Sequence, residues 1–156
     1  MPDLRTTTLV DAPVHTVAGA LLDVRLITES LRGLDVRIDG GGGGLLSAGD
    51  ELSSSFGPAR GRLRVTRADL SGVAAEMVEG PLPSLRLRTD LVVTGGGTMV
   101  VDAMEWTSPG GPLGRLADLT VGRGIALRVL QARAQAITRR AGELATARVV
   151  VGAAIV

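Results

Sequence analysis

Between Leu34 and Thr107 apolar residues recur at every second position in short segments broken by Gly, Pro and Ser, and after Pro112 they recur at every third and fourth. The first period belongs to strands with one dry face and the second to a helix with one apolar side. A meander of antiparallel strands followed by a long helix is therefore expected. The predicted strands are Leu34 to Ile38, Asp50 to Phe56, Gly61 to Ala68, Val73 to Glu79, Leu85 to Val93 and Thr98 to Thr107. The alternation is sharpest where Leu63 and Val65 interleave with arginines, and where Leu85, Leu87 and Leu91 interleave with Arg86, Arg88 and Asp90. Gly95-Gly96-Gly97 marks a hairpin. The helix is expected from about Leu113 to Leu144, with Leu116, Leu119, Ala126, Leu130, Ala134, Ile137, Ala141 and Leu144 on its apolar side. Gly122 and Gly124 each cost about 1 kcal/mol relative to Ala inside a helix, which predicts a bend there.

Upstream, Leu4 to Val10 suits a first strand, and Asp11-Ala12-Pro13 offers an acidic N-cap and a proline for a helix start. Val14, Val17, Ala18, Leu21 and Leu22 form one apolar face, and a second short helix through Leu26, Ile27 and Leu31 stops at Gly33. The class is α+β: one strand, two short helices, a curved antiparallel sheet, then a long C-terminal helix. The run Gly40 to Gly44 reads as a flexible turn, because no Lys-Ser or Lys-Thr follows to make a phosphate loop.

Composition narrows the chemistry. Seventeen basic residues, all arginine, face 16 acidic ones for a net charge of +1, which supplies no field for nucleic acid or anionic membrane. Lysine and cysteine are absent and His15 is the single histidine, so Schiff-base, thiolate and His/Cys metal chemistry lack material. Phe56 and Trp106 are the only aromatics, too few for base stacking. No metal or cofactor is expected. The polar start at Met1 to Thr8 lacks a signal-peptide pattern, and the apolar stretch Val149 to Val156 is far short of a membrane span, so a cytoplasmic location is expected.

The order of elements is that of the helix-grip fold, and several segments resemble the START-like (SRPBCC) superfamily of polyketide cyclases and birch-pollen-allergen-like proteins. They are Val10-Asp11-Ala12-Pro13 with Leu21-Leu22-Asp23, Val78-Glu79-Gly80-Pro81, Gly97-Thr98 to Asp102 leading into Trp106, and Pro109-Gly110-Gly111-Pro112-Leu113-Gly114-Arg115-Leu116-Ala117-Asp118. The resemblance spans roughly Leu4 to Leu144 and implies one domain over residues 1–144 with an apolar tail at 145–156. It also implies a sheet wrapped around the last helix, with an apolar cavity between them for a lipid, polyketide or similar molecule. Positions around Leu82, Leu85 and Leu87, often aromatic or His in such proteins, are aliphatic here.

The cavity is expected to be lined by Leu63, Val65, Met77, Leu85, Leu87, Leu91, Val101, Ala103, Ala126 and Leu130. Counting by two from Met99, Val101 and Ala103 brings Glu105 to the same face, which makes it a candidate acid or base inside the cavity or an arginine-paired residue at its rim. Asp102 falls on the other face with Val100, Met104 and Trp106, where Arg86 or Arg88 is its expected cross-strand partner. Asp50-Glu51 and Glu76 with Glu79 lack metal-loop spacing, and Ser53-Ser54-Ser55 lacks a nucleophile elbow. Carriage or sensing of a small hydrophobic ligand is the leading reading. A cyclase or dehydratase using Glu105, with Arg86 or Arg88 orienting a carbonyl, and a regulatory or toxin-like partner-binding module are the alternatives. Oligomeric state is left open.

Overall fold

The computed structural model describes residues 3–40, 44–117 and 121–155. The centre of the glycine run, and Asp118 and Leu119 of the expected helix, lie outside them. The elements in chain order are β1 (Asp3–Val10), α1 (Val14–Leu21), α2 (Val24–Ser30), β2 (Val36–Asp39), β3 (Glu51–Phe56), β4 (Ala59–Asp69), β5 (Gly72–Glu79), β6 (Ser84–Thr94), β7 (Gly97–Thr107), α3 (Gly111–Ala117) and α4 (Arg123–Ile155).

The seven strands form one curled antiparallel sheet in the order β1-β7-β6-β5-β4-β3-β2. Strands β2 to β7 follow one another as hairpins, while β1 crosses to the far edge and pairs with β7 from Asp3↔Glu105 to Val10↔Thr98. The expected strands match within about two residues at each end. Gly97 shows why the β6–β7 turn must be glycine: its φ is +136°, and an added Cβ would overlap the Val10 carbonyl oxygen.

The short helices depart from expectation in their caps. Pro13, not Asp11, occupies the N-cap of α1 and gives no side-chain hydrogen bond. Asp23 caps α2, accepting from the Arg25 backbone N–H at 2.9 Å. Between them α1 and α2 bury Val17, Ala18, Leu21, Val24 and Leu26.

The single helix expected after Pro112 is two elements, α3 and α4, and Gly122 and Gly124 lie at the start of the second. Gly114 lets α3 begin against Pro109, whose carbonyl oxygen would overlap an added Cβ. Helix α4 runs on to Ile155, so the segment expected as a tail is helical through that residue. Its buried stripe is Ala126, Val129, Leu130, Arg133, Ala136, Ile137 and Ala141, the three-and-four spacing of a helix seated on a core. It packs against α1, α2, β1 and β7. Among the described residues no helix is long and apolar enough to cross a membrane.

Candidate functional site

Strand β7 fixes the site, because its burial alternates without a break. Thr98, Val100, Asp102, Met104 and Trp106 are buried, and Met99, Val101, Ala103, Glu105 and Thr107 are half-buried on the opposite face. The expected grouping of residues along β7 holds, but the two faces are exchanged. The inward set carries Val100, Met104 and Trp106, the larger apolar side chains, and the outward set is shielded by its neighbours. Ala103 lies in register between Arg5 of β1 and Arg88 of β6.

Glu105 therefore stands on the outer face, in register with Asp3 of β1 and Arg86 of β6. Val101 and Ala103 share that face and do not line the cavity. Arg86 and Arg88 are exposed and turned away from the helix, and Arg88 Nε pairs with Asp90 Oδ2 at 2.7 Å instead of with Asp102. His15 is exposed on α1.

Between the concave face and the start of α4 lies a cavity of about 410 Å³. Its sheet wall includes Ile38, Leu63, Met77, Leu85, Leu87 and Trp106, and its helix wall includes Ile125, Ala126 and Val129. Phe56 and Val121 line it while being 45% and 62% exposed, which puts the mouth between the β3 end and the start of α4. Apart from Ser54, Ser55 and Ser108 the lining residues are apolar, and none of the described ones is titratable. Of the expected lining, Leu63, Met77, Leu85, Leu87 and Ala126 take part. Val65, Leu91 and Leu130 face the same way but are buried in the core outside the cavity.

One step further along the concave face, beyond the cavity lining, the side chains turn polar. Thr6, Asp102 and Thr89 lie in one row across β1, β7 and β6. Asp102 is fully buried, and Thr89 Oγ1 donates to its Oδ1 at 2.5 Å. From α4, Arg133 Nη2 donates to Thr89 Oγ1 at 3.3 Å, and Arg133 Nη1 stands 3.7 Å from Asp102 Oδ1. Asp102 Oδ2 and Thr6 Oγ1 are buried with no hydrogen-bond partner among the described residues. The sequence reading passed over this cluster, although two signals were available. Thr89 shares the parity of Leu85, Leu87 and Leu91, and Arg133 falls between Leu130 and Ile137 on the apolar stripe of the helix.

The geometry just described is the helix-grip fold, in which a curled antiparallel sheet wraps a long C-terminal helix. Solved structures share it at low identity. Protein TTHA0849 from Thermus thermophilus superposes with a TM-score of 0.73 at 15% identity, covering 92% of this chain and 99% of that one. Ara h 8.0201 gives 0.59 at 13% identity, over 87% and 97%. Norcoclaurine synthase from Thalictrum flavum, in complex with dopamine and hydroxybenzaldehyde, gives 0.65 at 18% identity, over 91% and 87%. No family model matches the chain, and no curated protein does.

Proposed function

We propose that this protein binds a small hydrophobic molecule in the cavity between sheet and α4, as a carrier or sensor. The observation that carries the reading is a cavity of about 410 Å³ whose described walls hold no titratable side chain. That volume falls in the range of small-molecule sites, which are mostly apolar with a few placed polar groups. At about 30 Å³ per water-sized group it accommodates roughly 14 of them. A cyclase or dehydratase needs an acid or base within hydrogen-bond reach of the reacting atoms. The described walls include serines but no carboxylate, histidine or arginine for that work, and the wall chemistry favours binding over turnover.

Trp106, the only tryptophan, forms part of the wall and can report occupancy. Titration with N-phenyl-1-naphthylamine, a neutral apolar fluorophore, should give saturable one-to-one energy transfer from Trp106. Ala126→Phe, which fills the space from α4, should weaken binding at least tenfold while the fold persists. Non-saturable uptake, or equal uptake by the filled variant, would remove the reading.

A further inference from the structure

We infer that the cavity selects an apolar molecule carrying one neutral hydrogen-bond donor, a hydroxyl being the simplest, and that Asp102 receives it. The inference rests on the cavity reading above. Three elements lead from apolar wall to polar row by a single step each. Met104 and Leu87 line the cavity, and the next inward-facing residues on their strands are Asp102 and Thr89, about 7 Å on at two residues of strand rise. Val129 also lines it, and Arg133 follows one helical turn later. The row therefore lies one inward-facing residue beyond the lining on β6 and β7 and one helical turn beyond it on α4, and Thr6, Thr89, Asp102 and Arg133 are not themselves among the lining residues.

What the row lacks defines what it takes. A buried carboxylate oxygen without a partner is costly, and natural structures meet such groups with a ligand or a water. Oδ1 is occupied by Thr89, with Arg133 close to it, while Oδ2 has no partner and Thr6 Oγ1 beside it in the row has none either, among the described residues. A carboxylate accepts and does not donate, so the complementary group is a donor. The Arg133 guanidinium already balances the Asp102 charge, so a second cation gains little and a neutral donor fits best. A hydroxyl adds an acceptor of its own, which the Thr6 hydroxyl can serve. Met104, unbranched and with three rotatable bonds, is the wall side chain best able to yield between the two compartments.

The test uses three probes of equal size: 1-decanol, 1-methoxynonane and n-undecane, each displacing N-phenyl-1-naphthylamine from the whole protein. A purely apolar cavity ranks undecane first, because burying an unpaired oxygen is unfavourable. The inference expects the reverse, with decanol at least tenfold tighter than the ether, since only the alcohol donates. The double variant Asp102→Leu with Arg133→Met removes both charges together, which buried ion pairs often tolerate, and should keep undecane affinity while abolishing the alcohol preference. The wild-type ranking alone decides the matter if that variant does not fold. Equal affinity for decanol and the ether means that water serves the row, and overturns this inference while leaving the cavity reading intact. Failure of all three probes to bind overturns both.

Discussion

Asp102 and Arg133 lie in the dry interior, and removing either one leaves the other as a buried charge without its counterion. Arg133→Met alone should cost about 3 kcal/mol, the lower end for a broken buried pair. The double replacement named above should cost far less, and urea denaturation of the set measures the coupling directly. Glu105→Gln is the contrasting case. On the outer face it should change stability by less than about 0.5 kcal/mol and leave probe affinity unaltered. Asp90 supplies an acid-sensitive term. Burial pushes its carboxyl upward, but hydrogen bonds from Arg67 and Arg88 outweigh this and hold it below the ordinary 3.8. With the folded value depressed, the pair's contribution is complete above 3.8 and is lost as pH falls from there through the folded value. Asp90→Asn should lower stability at neutral pH by about 0.5–1 kcal/mol, as for other partly exposed pairs, and flatten the acid limb of a stability profile.

At the scale of elements, strand β7 explains both what the sequence disclosed and what it concealed. Strand limits were readable because each segment alternates and ends at Gly, Pro or Ser, so turn chemistry and period agree. The face of β7 was not, because its inward set contains Thr98 and Asp102 while its outward set reads Met99, Val101 and Ala103. A polar pair on the dry face and apolar residues on the wet one cancel the usual contrast. Paired-strand register resolves it: Asp102 lies opposite Thr89, which follows Leu85 and Leu87 on the same face of β6. Leu85 and Leu87 of the cavity wall were legible on that neighbouring strand, and Leu63 on β4, where Leu63 and Val65 alternate with arginines. On α4 the sequence disclosed Ala126 of the cavity wall but not Ile125 or Val129, and Arg133 interrupts the apolar stripe at the one position that carries the polar contact. The β6–β7 turn is a further point of test. Gly97→Ala combines a positive φ with a backbone oxygen in the path of the new methyl, and should cost about 2–3 kcal/mol, read as a lowered thermal midpoint.

For the whole molecule, the pairing of β1 with β7 ties the first strand to the last. Asp3 meets Glu105 and Val10 meets Thr98, so that ladder closes only after the intervening helices and hairpins have been made. Contacts so distant in sequence slow folding, because loop closure precedes any reward. A ribosome adding about 5–20 residues per second would hold β1 unpaired for several seconds, its backbone donors and acceptors open to other chains. The hairpins from β2 to β6 can zip as they emerge, whereas the Thr6 end of the polar row and the seat of α4 must wait. The order of synthesis thus makes the buried aspartate one of the last groups to lose contact with water.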